Sequence, residues 1–192
     1  MMQIDELLAW FDNGGSFDDD PEVLAAMRAC IQDTRRLLFE MNSVWHEDEK
    51  EITELFARIT AKPVGENVRI ETPFYTDFGK NITVGSNVFI NAGCKFQDQG
   101  GIVIGDGAFI GHNVVLATLD HDMNPEKRHL LHPSPIRIGN RVWIGANAVV
   151  TKGVTIGDNS IIAAGAVVTH DIPANVVAAG IPARVRRTLS AS

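Results

Sequence analysis

The residues best suited to chemistry in this 192-residue chain are its six histidines and a group of arginines near the C-terminus. His121, His129 and His132 share the segment Leu119 to Pro135, together with Pro125, Pro133 and Pro135. An imidazole titrates near working pH, so a positioned histidine can take a proton from a hydroxyl group. A histidine in a polar loop is also an ordinary surface residue, and residue type alone leaves both readings of His121 open. Arg184, Arg186 and Arg187 form a basic stretch whose guanidinium forks suit phosphate, the other reading being a solvated tail. No Walker loop and no dinucleotide fingerprint occurs.

What must position these groups is a repeat. Ile138, Ile144, Val150, Ile156, Ile162 and Val168 stand six residues apart, with Gly139, Gly145 and Gly157 directly after three of them. A second, mostly small series follows four residues behind each: Val142, Ala148, Val154, Ser160, Ala166 and Ile172. Neither the helical nor the two-residue period fits this pattern. A six-residue period reads as a parallel β-helix in which each unit is a short strand plus a turn. The aliphatic side chain points into the shaft, and glycine is expected to ease the turn.

The same period begins weakly after Lys62 with Val64 and Ile70, and strengthens through Val84, Ile90 and Phe96. It slips by two residues to Ile104, which predicts a bulged corner at Gln97–Val103 around Gly100-Gly101, and then resumes at Ile110 and Leu116. The 22 residues from Leu116 to Ile138 equal three units plus four, and their proline and histidine content predicts a loop thrown off the shaft at 119–135. Insertions in solenoids map to loops that often carry function. Residues 1–60 are helical by contrast. Ile4, Leu7, Leu8 and Phe11 form one short amphipathic series, Asp20-Pro21 starts a second helix, and a third begins near Glu47. This divides the chain into an N-terminal helical segment, 1–60, and a β-helix domain, 61–188.

Net charge is −7, placed unevenly: residues 1–60 hold 14 acids against 5 bases, the remainder 10 against 12. No basic stripe exists to displace phosphate counterions, so nucleic acid is not an expected partner. Cys30 and Cys94 form no paired motif, which fits a reducing compartment. The acidic start lacks a signal-peptide pattern and no apolar run has membrane-spanning length, so the expectation is a cytoplasmic protein without a membrane partner.

With these motifs in hand, the chain resembles the hexapeptide-repeat acyltransferases, most closely the galactoside, maltose and nodulation-factor sugar O-acetyltransferases. The resemblance spans about residues 17–188. It is carried by Ile138-Gly-Asn-Arg-Val-Trp-Ile-Gly-Ala146, Gly153-Val-Thr-Ile-Gly-Asp158, Val168-Thr-His-Asp-Ile-Pro173 and Ala179-Gly-Ile-Pro-Ala-Arg-Val185. It implies a mainly β protein: a left-handed parallel β-helix with N-terminal helices, assembled as a homotrimer. The left hand comes from the resemblance alone, since crossover connections are otherwise right-handed. It further implies acetyl transfer from acetyl-CoA to a hydroxyl of a sugar or sugar-like small molecule, with no metal.

By position, the resemblance makes His121, in Ala117-Thr-Leu-Asp-His-Asp122, the catalytic histidine. It assigns the acceptor to Asp77, Asn91, Asp98 and one of Asp18 or Asp19, with Asp20 read as the helix cap. It assigns coenzyme A to Ala146, Ala164, Thr169, Arg184 and Arg187, with Lys152 a possible helper and His170 where many members carry lysine. No cysteine or serine stands as an evident covalent nucleophile, so direct attack by the acceptor is the simpler mechanism.

This chain departs from the pattern at the catalytic turn, where Asp120 and Asp122 flank His121 in place of the usual glycine or threonine and proline. Two carboxylates could raise the imidazole pKa or steer a cationic acceptor. The first alternative is therefore acetyl transfer to a non-sugar acceptor, an antibiotic hydroxyl or an amine. A more distant one is a metal hydratase like γ-carbonic anhydrase. That zinc site needs two histidines five apart, and the partner position for His112 is Ala117.

Overall fold

The structure, a computed structural model, describes residues 2–13 and 20–189. Three helices come first: α1 (Ile4–Asp12), α2 (Pro21–Ser43) and α3 (Glu49–Thr60). Asp20 caps α2 as its sequence suggests, its carboxylate accepting from the Glu22 amide at 2.7 Å with Pro21 in the first turn. Asp48 does the same for α3 through Lys50 at 2.9 Å. No helix of the described residues is long and apolar enough to cross a membrane.

The rest of the chain winds as a parallel solenoid with three faces. On the first face Ile70, Ile90, Ile110, Ile144, Ile162 and Ala178 stack in register. The second stacks Thr76, Phe96, Leu116, Val150 and Val168. The third stacks Val84, Ile104, Ile138 and Ile156, and a single bridge extends it to Ile172. All of these residues are buried, as is the smaller series between them, so the six-residue period is the period of the shaft core.

The corners divide their work differently from the sequence expectation. Gly145 and Gly157 do not supply the turn: a Cβ on either would stand 2.5 Å from the next coil's backbone, at the amide nitrogens of Ala164 and Ala174. Their role is close stacking of successive coils. The left-handed backbone falls instead on Asn147, Gly153, Asn159 and Gly165, again six apart, with φ between 59° and 76°. Asparagine tolerates that region best among residues with a side chain, and it adds corner bonds such as Asn159 to Asn175 at 2.7 Å.

The two-residue slip at Gln97–Val103 is present, and the preceding coil carries the same one between Thr76 and Val84. Asp98 joins the two widened corners. It is fully buried, and one carboxylate oxygen accepts from the Thr76 hydroxyl at 2.7 Å and from the Phe78 and Gly79 amides at 3.0 and 2.9 Å. The other accepts from the Asn81 amide at 3.1 Å. Burial pushes the Asp98 pKa up, and these four bonds pull against it.

The segment from Leu116 to Ile138 is one corner rather than extra repeat units, because Ile110 stacks directly on Ile144. It leaves the shaft as an antiparallel hairpin, not an irregular loop, pairing Leu119–His121 with Leu131–Pro133. The core of α2 and α3 continues into the shaft, where Phe56, Phe74 and Phe96 meet edge-on at 5.4 and 5.1 Å. A second cluster joins Leu7 and Phe11 of α1, Val23, Ala26 and Met27 of α2, and Phe78, with Leu119 and Leu131 of the hairpin leaning on it. At the far end, Arg184–Thr188 is a strand, antiparallel to Val176–Ala179, and it closes the edge of the first face.

Asp98→Ala should therefore act through stability. It strands the Phe78, Gly79 and Asn81 amides of the first widened corner, at a cost of about 3 kcal/mol, or a fall of roughly 6–12 °C in Tm for a chain of this size. Thermal unfolding followed by circular dichroism checks this; a Tm within a degree of the parent would contradict it.

Candidate active site

His121 lies where the first strand of the hairpin ends. Its Nδ1 is 2.7 Å from the carbonyl oxygen of Arg128, across the hairpin tip. A carbonyl only accepts, so Nδ1 carries the proton, and in the neutral ring Nε2 is a bare acceptor. The tip that supplies this carbonyl is itself bonded. The Arg128 guanidinium donates to the Met123 carbonyl at 3.1 Å, and the 3-10 turn Pro125–Lys127 is capped by Asn124 at 3.0 Å.

The carboxylates beside His121 turn to other partners. Asp120 pairs with Lys152 at 3.2 Å. Asp122 accepts from the Asn124 amide at 2.8 Å and from His132 Nε2 at 2.9 Å, and these two bonds hold its carboxyl below the usual range. The expected roles of both aspartates, raising the imidazole pKa or steering a cation, thus compete with existing pairs. Lys152 also donates to the His132 carbonyl at 3.0 Å, so it serves the hairpin rather than lying free as a donor helper.

Asn91 stands at a different corner, between the first and second faces. It lines a groove of about 520 Å³ with Gly111, His112, Trp143, Ala146 and Ala164. Two residues assigned to coenzyme A and one assigned to the acceptor therefore share one groove. His112 and Trp143 are additions to the sequence assignment. The signal for Trp143 was present: it is a large aromatic residue directly before the inward Ile144, a position that faces outward, and it is half exposed.

The remaining assigned residues scatter. Asp77 begins the corner between the second and third faces, below the hairpin root, where Gln99 Nε2 donates to it at 3.3 Å. It borders a second cleft of about 270 Å³ with Tyr75, Lys95, Gln97 and Ala117. Thr169 follows Val168 at that same corner, further along the shaft, and its hydroxyl meets His170 Nδ1 at 2.9 Å. Arg184 and Arg187 are exposed on the closing strand, so the basic end is not a loose tail. Asp98 is the correction. An acceptor-facing carboxylate was expected, but its oxygens are buried and bonded within the widened corners. Asp18 and Asp19 lie outside the described residues. Among the described residues no group of histidine, cysteine and carboxylate side chains could hold a metal ion.

In a single chain, then, His121 and the Asn91 groove occupy two different corners, separated by the second face. No residue of the hairpin lines the groove. The chain has kin among known enzymes. A family model described as the hexapeptide repeat of succinyl-transferase matches residues 81–117 and 135–170. The galactoside O-acetyltransferase of Escherichia coli K12 is 42% identical over 158 residues, covering 81% of this chain and 77% of that protein. Among solved structures, a galactoside acetyltransferase in complex with coenzyme A superposes with a TM-score of 0.87 at 36% identity, covering 99% of this chain and 92% of that one. A hexapeptide-repeat acetyltransferase of Vibrio cholerae in complex with acetyl-coenzyme A gives 0.86 at 33% identity, covering 96% and 99%. A solenoid of hexapeptide coils, an exposed histidine on a hairpin and these relatives lead to one conclusion: the chain belongs to the hexapeptide-repeat acetyltransferase family.

Proposed function

We propose that this protein transfers an acetyl group from acetyl-CoA to a hydroxyl of a sugar or sugar-like molecule, with His121 as general base. The observation that carries the reading is the bond from His121 Nδ1 to the Arg128 carbonyl. It leaves Nε2 as the proton acceptor that a poorly nucleophilic hydroxyl needs. The sugar acceptor is favoured by the galactoside enzymes among the relatives. The engagement of Asp120 and Asp122 by Lys152 and His132 weakens the case for a cationic acceptor.

The Asn91 groove suits the thioester arm of acetyl-CoA, since its lining includes the small residues Ala146, Ala163 and Ala164 beside Trp143. Bound there, acetyl-CoA would supply an electrophilic thioester carbonyl and a thiol leaving group. His121 Nε2 takes the acceptor proton as the hydroxyl oxygen bonds to the carbonyl carbon. It returns that proton to sulfur when the carbon–sulfur bond breaks, so one histidine serves both halves. Asn91 lines the same groove. Arg184 and Arg187 offer guanidinium groups to the phosphates.

The separation of the hairpin and groove within one chain argues for a homotrimer with the hairpin of one subunit facing the groove of the next. Cyclic symmetry then gives three equivalent sites. Sedimentation equilibrium should find three chains; a fully active monomer would refute the arrangement.

His121→Ala should lower kcat by about 10²- to 10⁴-fold, leaving assembly and acetyl-CoA affinity intact. Thiol release, measured over a panel of sugars, amino sugars and antibiotics, tests both acceptor class and base; parent-like turnover on every acceptor would dismiss His121. In the same assay, replacing Arg184 and Arg187 together by alanine should raise the KM for acetyl-CoA and leave kcat less affected. Phosphates far from the thioester contribute binding common to ground and transition states. An unchanged KM would remove the arginines from the donor site.

A further inference from the structure

We infer that Lys152 is a positioning residue for His121, acting as a latch that fixes the catalytic hairpin to the shaft. This inference rests on the reading of His121 as general base. Lys152 stands on the coil above the hairpin root, two residues after the inward Val150 of the second face. Its ammonium reaches both strands of the hairpin at once, pairing with the Asp120 carboxylate at 3.2 Å and donating to the His132 carbonyl at 3.0 Å. Asp120 and His132 are direct partners in the hairpin ladder, so the latch closes on a single rung. That rung adjoins the His121–Leu131 pair.

The hairpin needs such a tie. It is only three residue pairs long, and a two-stranded ribbon is marginal in water. Its apolar anchors, Leu119 and Leu131, hold one side against α1 and Phe78. Its root is fixed to the shaft by the Thr118 amide to the Gln97 carbonyl at 3.1 Å, the Gly100 amide to the Thr118 hydroxyl at 2.8 Å and the Gly153 amide to the Ser134 carbonyl at 3.3 Å. These fixings lie beneath the Asp120–His132 rung. Lys152 is the cation that reaches past them to the level of His121. The neighbouring pair of Asp122 with His132 stays within the hairpin, so it stiffens the tip without attaching it.

An exposed ion pair contributes little to global stability. A general base displaced by about 1 Å, however, can lose on the order of 10²-fold in rate. Lys152 therefore matters for kcat far more than for Tm. The competing role, contact with the donor's phosphates, would appear in KM instead.

The test compares Lys152→Met, Lys152→Arg and Asp120→Asn with the parent, alone and in the His121→Ala background. Steady-state kinetics with acetyl-CoA are paired with amide hydrogen exchange over residues 119–133. Lys152→Met should lower kcat about ten- to hundredfold with the KM for acetyl-CoA within about twofold. Lys152→Arg should recover most of the loss, and Asp120→Asn should lose less because the His132 carbonyl remains. The hairpin amides should exchange faster in Lys152→Met while the shaft amides do not. Combined with His121→Ala, the lysine change should cost nothing further, since it acts through that histidine. Unchanged hairpin exchange, unchanged kcat, or a loss confined to KM would each overturn the latch. Full activity of His121→Ala alone would overturn the general-base reading, a failure told apart from the first by exchange, which needs no turnover.

Discussion

The interior of this solenoid is solid, and that packing governs everything outside it. Successive coils stack inward side chains, most of them aliphatic, on all three faces, and the backbones at the corners approach so closely that Gly145 and Gly157 admit no Cβ. A shaft packed to this density has no room for a substrate. Chemistry must be done at corners, and corners of one chain are held apart by the faces between them. The hairpin bearing His121 leaves one corner, and the groove of Asn91, Ala146 and Ala164 runs along another. This separation is the reason a neighbouring copy enters the proposal.

The widened corners show how the shaft makes room for the hairpin. Two successive coils take two extra residues at the corner from which the hairpin later departs, and Asp98 gathers the resulting free amides. Phe78, carried on the first of these corners, becomes the platform on which α1 and the two hairpin leucines meet. The acidic N-terminal helices are thus part of the support of the candidate site. They also cap the first coil, through Phe56 on Phe74 and through Lys80, a buried lysine that donates to the Ile59 carbonyl at 2.9 Å.

Much of this was legible in the sequence because a solenoid writes its contacts locally. Ile138 to Val168 announces the inward rungs directly, and Asp20-Pro21 announces a helix start. Where the sequence misled, the cause was a contact between residues distant in the chain. Asp98 looked like a binding carboxylate and proved to be a buried acceptor for amides about twenty residues away. The glycines after the aliphatic residues looked like turn formers, but they accommodate the next coil, which no local pattern reveals. The partner of His121 is a backbone carbonyl, and every residue type carries one, so Arg128 gave no signal. The direction of the Lys152 side chain depends on how the hairpin folds back, which no local pattern reveals. The left hand of the helix came from family resemblance alone, and Asp18 and Asp19 lie outside the described residues.

The central claim is that the base and the donor groove of one site come from two chains. The direct measurement is complementation between two inactive variants: His121→Ala, which lacks the base, and Ala146→Trp, which fills the groove. Each is purified alone, then the two are unfolded and refolded together. A trimer holding both kinds of chain has one interface at which an intact hairpin meets an intact groove. The account predicts that activity returns on mixing, to about a third of the parent's per mixed trimer. If the mixture stays as inactive as its components while mixed trimers are present, each site belongs to a single chain and the account is wrong.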